Sequence, residues 1–339
     1  MPAIYLDYAA TTPLLPQAHA AMEEGFRIWA NPSSPHKTGR AARAALEEAR
    51  SRLKALLDWP GEVVFTSGAS EALALTISRS VKPLSAVSQV EHEAVLRLAG
   101  EATRLAVNSA GIVEIDACGG GLVAVQQVNN ETGVIQPLDA IAAAVRDSGG
   151  WLLADCAQGC GKIALPDADL IALSAHKFGG PIGIGALLVR DWAMLKPTGG
   201  QERGYRPGTE NLPGVLAMVA ALETGNGWME EAAKLRKRLE QQLLESGCEV
   251  VAAYSPRLPT IGAYRMPGRS ANAQLIRFDG MGLAVSAGSA CSSGSLKASH
   301  VLTAMGFEGA GEVIRVSIGR ETTAAEIDAF VAAWRSIAA

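Results

Sequence analysis

The chain has 339 residues, 48% hydrophobic and 19% charged, with a formal net charge of −4. That length supports a large buried core, and a large domain with a smaller one beside it. The mild acidity and the lack of a basic stripe give no support to nucleic-acid binding, and no apolar run approaches the ~20 residues of a membrane span.

The segment from Met1 to Asp7 lacks a basic stretch followed by an apolar one, so no secretory signal is read and the expected compartment is the cytoplasm. Five thinly spread cysteines form no disulfide framework, and Cys156 with Cys160 has no second half for a structural zinc site, so no metal is expected. Reduced thiols are the default, which leaves room for one to be chemically active.

Residues 5–13 read as a short extended segment ending at a proline, residues 31–36 as a loop, and residues 39–57 as an amphipathic helix that only packs. A strand over 62–65 is followed by Thr66-Ser67-Gly68-Ala69-Ser70-Glu71 and a helical stretch over 72–77. Strand, glycine turn and helix amino terminus make an anion site, although Ser70 would serve equally as an ordinary cap. Another apolar run, 84–88, ends at Glu91-His92-Glu93 before a helix near Ala94. His92 at a strand's carboxyl end is a candidate general acid/base, the alternative being a structural histidine. The next strand, 121–128, carries Asn129-Asn130-Glu131, where Asn130 either donates to a carboxylate or stabilises the turn.

A helix over 138–148 returns to the strand 151–154, which stops at Asp155, and a second buried run over 169–173 stops at Ser174-Ala175-His176-Lys177. Strands alternating with helices predict a doubly wound, mainly parallel sheet, in which ligands bind outside the carboxyl ends of the strands. Phe178-Gly179-Gly180-Pro181 is a turn, and residues 182–187 are an apolar return whose glycines allow close passage to other backbone. A lysine there, beside a carboxylate from the neighbouring strand, would be placed to hold an aldehyde cofactor as a Schiff base; read alone it would be a solvated surface lysine. No G-x-G-x-x-G opens a helix, which disfavours a dinucleotide.

The polar, glycine-rich run 198–211 is too long for an idle connection, and residues 225–227 mark a domain boundary. Beyond it a helix over 228–244, strands over 249–253 and 260–265, and helices over 272–278 and 324–334 predict a separate α+β domain. Within it, residues 285–295 present Cys291 among small residues on a loop, either as a reactive thiol or merely as a small side chain. The strand 313–320 carries Arg315 between apolar neighbours, suited to clamp a carboxylate.

Taken together, Tyr5 to Pro13, Asn31 to His36 with Gly39-Arg40, Thr66-Ser67-Gly68-Ala69, Glu91-His92, Asn129-Asn130-Glu131, Asp155 with Gln158, His176-Lys177, Gln201 to Gly204, Arg206 to Thr209, Gly288 to Cys291 and Arg315 with Gly319-Arg320 occur in an order that resembles the cysteine desulfurases. These are class V aminotransferase-like, fold type I enzymes dependent on pyridoxal 5'-phosphate. The resemblance implies an α/β fold: a large cofactor domain over 12–224 with a mainly parallel central sheet, and a smaller α+β domain from 1–11 with 225–339 that carries the cysteine loop.

It further implies that Lys177 holds the cofactor as a Schiff base, that Asp155 pairs with the ring nitrogen, that His92 stacks on the ring and moves protons, and that Gln158 meets the phenolic oxygen. Ala69, Ser70, Ser174 and His176 would hold the phosphate, with Thr209 reaching the phosphate of a neighbouring subunit in a homodimer with shared sites. Asn130 and Arg315 would bind the carboxylate of L-cysteine. Cys291 would take its sulfur as a persulfide for an acceptor protein in iron–sulfur cluster or thio-cofactor synthesis. A selenocysteine lyase or another class V aminotransferase, with Cys291 dispensable, is the rival reading. Ser70 stands where threonine is usual and Thr198 replaces the first of three glycines. The chain stops soon after Trp334, short of the tail with which longer members dock an iron–sulfur scaffold.

Overall fold

A computed structural model of the chain describes residues 4–115, 119–288 and 299–339. Strand β1 (Ile4–Tyr5) precedes helices α1 (Pro16–Arg27) and α2 (Lys37–Leu56). Strands and helices then alternate: β2 (Glu62–Thr66), α3 (Ala69–Arg79), β3 (Leu84–Ser88), the short α4 (Glu93–Leu96), β4 (Thr103–Leu105), β5 (Leu122–Gln126), α5 (Leu138–Asp147), β6 (Trp151–Asp155), β7 (Leu170–Ser174) and β8 (Gly185–Val189). Helices α6 (Leu212–Glu223) and α7 (Met229–Leu244) lead to β9 (Glu249–Val250), β10 (Ile261–Arg265), α8 (Ala271–Gly280), β11 (Leu283–Ala284), α9 (His300–Ala304), β12 (Val313–Ser317) and α10 (Ala324–Ala338).

The main sheet has the order β2-β8-β7-β6-β5-β3-β4. Its strands from β4 to β7 are parallel, while β8 runs antiparallel to both β7 and β2. Strands β5, β7 and β8 are buried along their whole length, because helices cover both faces of the sheet, and so they read as unbroken apolar runs. The return into β8 begins three residues later than the apolar run suggests, after a turn in which Gly179 and Gly183 have φ of +90° and +80°. Gly185 is required where it stands: a Cβ there would lie 2.3 Å from the Leu173 carbonyl oxygen and 2.7 Å from Gly68 Cα.

A second sheet, β12-β10-β9, is antiparallel, and β1 pairs with β11 in parallel. Its core joins Leu6 from the amino terminus to α7, α8 and α10, where Phe278, Phe330 and Trp334 are wholly buried and the two phenyl rings stack at 5.0 Å. Each such side chain contributes about 1.5–3 kcal/mol by leaving water. Here the structure departs from the sequence expectation: β9 covers two residues rather than five, ending before Ala252, whose φ is +51°. Helix α1, strands β4 and β11 and helix α9 have no counterpart in the sequence expectation. Among the described residues no helix is long and apolar enough to cross a membrane, and no group of His, Cys, Asp and Glu is gathered to hold a metal.

Candidate active site

The carboxyl ends of the parallel strands open into one cleft of about 710 Å³. Strand β2 delivers the turn before α3, β3 delivers His92, β5 delivers Asn130, β6 ends at Asp155 and β7 at Ser174. A single 3-10 turn, Ala175–Lys177, then carries His176 and Lys177 over the strand end, and Arg315 reaches in from β12 of the second sheet. Ala69, Ser70, His92, Asn130, Asp155, Gln158, Ser174, His176, Lys177 and Arg315 all line this cleft. Thr209 does not line it and is exposed on the loop before α6. Cys291 lies outside the described residues.

Lys177 Nζ donates to the carbonyl oxygens of Ala9 and Ala10, each at 2.8 Å, so the amino-terminal segment closes over it. Thr12 reinforces this contact, its N–H donating to His176 O at 2.8 Å and its hydroxyl to Lys177 O at 3.1 Å. Burial, and then the charge of Arg315, pull the Lys177 ammonium down to about 8 against Asp155 and Asp7. Burial raises the Asp155 carboxyl, opposed by the Ala157 N–H at 2.9 Å and by His92 and Lys177. A buried carboxylate of this kind is relieved by a cationic N–H placed against it. Burial also lowers His92, whose Nδ1 accepts the Ala94 N–H at 3.1 Å. That acceptor role puts the proton of the neutral ring on Nε2.

At the other end of the cleft, the N–H groups of Ala69 and Ser70 at the start of α3 have no acceptor among the described residues. Gly68, with φ +148°, brings the turn beside Ser174, whose Oγ would sit 3.6 Å from a Cβ at that position. Glu71, which also lines the cleft here, is engaged by Arg206 Nε at 2.9 Å and by the Ser67 N–H. Burial works against its charge, but those donors prevail and keep its carboxyl below the ordinary range. The result is a ring of donors around a helix amino terminus, suited to a phosphate.

His176 Nδ1 meets Thr11 Oγ1 at 3.2 Å, and burial followed by the Lys177 charge lowers the ring to about 4. In the unfolded chain it protonates near 6.5, so between those values the unfolded state binds the extra proton. This part of the stability is complete above about pH 6.5 and falls as the pH drops towards about 4. Urea midpoints of the cofactor-free protein should therefore be lower near pH 5 than near pH 7.5, and His176→Gln should narrow the gap. An unchanged gap would show that the ring is not the group responsible.

Arg315 is engaged more fully than its sequence neighbours indicate. Nη1 donates to Asn130 O at 2.9 Å, Nη2 to Asp7 Oδ1 at 2.7 Å, and the buried Nε has no partner among the described residues. The turn after β5 is stabilised by Asn129 rather than Asn130: Asn129 Oδ1 accepts from Glu131 N, Thr132 N and Thr132 Oγ1. That leaves the Asn130 side chain to the cleft. Asp7, Ala9, Ala10 and buried Glu91 beside His92 are neighbours of the site that the sequence reading passed over as such; backbone acceptors and burial carry no local signal.

Residues 4–330 match the aminotransferase class-V family. The chain is 37% identical to a cysteine desulfurase of Gluconacetobacter diazotrophicus, covering 97% of this chain and 91% of that one. It is also 37% identical to one of Bradyrhizobium diazoefficiens, covering 98% and 94%. The chain belongs to the class V aminotransferases, among the cysteine desulfurases. Its fold superposes on the crystal structure of a NifS-like protein from Rickettsia africae with a TM-score of 0.90 at 28% identity over 99% of both chains. It also matches a protein solved as SspA in complex with cysteine, with a TM-score of 0.79 at 27% identity over 94% of this chain and 99% of that one.

The family uses pyridoxal 5'-phosphate, and this cleft fits that group. N–H groups without an acceptor among the described residues stand at a helix amino terminus for its phosphate, a buried carboxylate stands for its ring nitrogen, and a lysine of lowered proton affinity stands for its aldehyde.

Proposed function

We propose that the chain removes sulfur from L-cysteine, releasing L-alanine and leaving a persulfide on Cys291 for an acceptor protein. The observation that carries this is the meeting of Lys177, Asp155, His92, Asn130 and Arg315 in one cleft, in a chain whose relatives are cysteine desulfurases. The relative solved with cysteine supports the substrate.

Ala69, Ser70, Ser174 and His176 hold the cofactor's phosphate, Asp155 keeps its ring nitrogen protonated, Gln158 donates to its ring oxygen, and Lys177 binds its aldehyde. Bound there, the cofactor supplies an electron sink for charge that develops on the substrate carbons. Asn130 and Arg315 fix the substrate carboxylate; the Arg315 Nε–H, without a partner among the described residues, is placed to share that work. Lys177 Nζ, lowered to about 8, exchanges a proton with the substrate Cα at neutral pH, and His92 Nε2 holds a second proton above it. The Cys291 thiolate attacks the substrate sulfur: an S–S bond forms, the C–S bond breaks, and the electron pair stays on carbon, which takes up a proton to become the methyl of alanine.

The chain works as a homodimer in this reading, since Thr209 is exposed and outside its own cleft, as a residue serving a second subunit would be. Residues 12–224 form the large unit and residues 1–11 with 225–339 the small one, consistent with Leu6 lying in the core of α7, α8 and α10.

The test is release of alanine and protein-bound sulfane sulfur from L-cysteine. Cys291→Ala should lose both by at least about a hundredfold while still cleaving selenocysteine, which does not strictly require the thiol. Full activity of that variant on cysteine would sink the persulfide step. Activity on selenocysteine alone in the unaltered protein would favour a lyase.

A further inference from the structure

Lys162 lies in the turn after β6, is almost wholly buried, and takes no part in the steps above. Its Nζ donates to a single acceptor among the described residues, the backbone carbonyl of Gln158 at 3.0 Å. An ammonium has three N–H bonds, and leaving them unmade in a buried position is costly. Gln158 lines the cleft; its Nε2 donates to Ala9 O at 2.8 Å, while its buried Oε1 has no partner among the described residues. A second orphaned oxygen, Thr260 Oγ1, lies just before β10. Lys162, Gln158, Thr260 and Lys177 all line one small chamber of about 30 Å³. That is room for roughly two waters, and buried polar groups that converge on such a space are bridged by them.

We propose that Lys162 is a positioning residue for the reaction, acting across this chamber to fix the amide of Gln158 and to set the charge felt at Lys177. The inference rests on the reading that Lys177 carries the cofactor and that Gln158 meets its ring oxygen. With Oε1 satisfied from the chamber and one Nε2 hydrogen committed to Ala9, the other hydrogen faces the cleft. Without Lys162 the amide is free to turn its oxygen that way.

Several titratable groups stand around the chamber. Tyr8 is raised by burial and so neutral, and burial pushes the Cys160 thiol up to about 12. Arg320 is tied to Thr224 Oγ1 at 2.9 Å and Gly225 O at 2.8 Å, and His176 stays neutral to about 4. Near neutral pH the charges that change are those of the two lysines; burial, then Lys177, brings Lys162 to about 7. A cation at Lys162 and a donor at Gln158 both disfavour a proton on the linkage between Lys177 and the cofactor. Removing either raises that linkage's proton affinity.

The experiment is a visible-absorption pH titration of the holoenzyme. Lys162→Met should move the midpoint of the Lys177–cofactor chromophore up by about half a pH unit or more. Alanine release should fall about tenfold. A midpoint within about 0.2 unit of the unaltered enzyme overturns the inference, even if thermal stability falls, because a packing role would move only the latter. Lys162→Gln, which keeps a donor for the Gln158 carbonyl but no charge, carries the same reading if the methionine variant does not fold. Absence of the chromophore from the unaltered enzyme, or its persistence in Lys177→Ala, would instead sink the reading of Lys177 and this inference with it.

Discussion

Replacing Lys177 with alanine is expected to lower alanine release from L-cysteine by roughly four orders of magnitude while leaving the fold intact. The side chain is joined to the rest of the protein through contacts that alanine can lose cheaply: its Nζ bonds two backbone carbonyls, those of Ala9 and Ala10. Those carbonyls belong to a turn that is otherwise secured by Ser317 Oγ on Ala9 N at 2.9 Å and by Gln158 on Ala9 O. The proposed chemistry has no such reserve, since in it one amine would serve as both the covalent anchor and the proton carrier. The measurement is alanine release together with visible absorption and circular dichroism. A variant that keeps more than about a hundredth of the rate would require a different anchor and base.

The second large effect is on stability. Glu202→Ala should cost about 3–5 kcal/mol, the range for removing one partner of a buried ion pair. Arg50 of α2 grips Glu202 with both terminal nitrogens, at 2.8 and 3.0 Å, and also donates to Val63 O at 2.6 Å. Glu202 in turn accepts the Phe65 N–H of β2 at 2.8 Å. Alanine would leave the buried guanidinium with only Glu47 Oε2, at 3.2 Å, and Val63 O, and would strand the Phe65 N–H. The pair also holds Glu202 and Arg203 at φ of +46° and +56°, conformations that cost about 1–3 kcal/mol unless their surroundings impose them. Urea denaturation of the variant is the measurement, and a loss below about 1 kcal/mol would mean that water reaches the pair. Because the same loop brings Arg206 to Glu71 beside Ala69 and Ser70, the proposed phosphate donors, cofactor affinity should weaken along with stability.

The main sheet was legible because its strands are buried on both faces and end in polar residues, so each apolar run announced both a strand and a place for chemistry. Helix α1 was not, for the opposite reason. It buries only Ala18 and Gly25, and Gly25 packs so closely on Pro213 that a Cβ would lie 2.5 Å from its Cα. Packing by absence of a side chain leaves no periodic apolar stripe to read. Strand β4 is two-thirds exposed and three residues long, too short for a pattern.

In the site, the residues that project from strand ends were found, and resemblance named them. Their restraints were not. The pairing of Arg315 with Asp7 joins residues 308 positions apart, and the Lys177 acceptors are main-chain oxygens that any sequence supplies. Resemblance alone marked Thr209, which stands outside its own cleft, and resemblance chose the reactive reading of Cys291, which lies outside the described residues.

The clasp over Lys177 has a consequence for how the protein is made. Residues 4–9 pair with Gly282, Ala284 and Ser317, so this segment waits for one made much later in synthesis before it can settle. Contacts of such long sequence separation form late, whereas the parallel sheet needs only the first 190 residues or so. A nascent chain therefore presents an open strand-end crevice, with its lysine not yet covered by Ala9 and Ala10, before β12 has been synthesised. If the cofactor binds at Lys177 as proposed, its capture is expected to precede closure, with the segment that carries Ala9 and Ala10 covering the site afterwards.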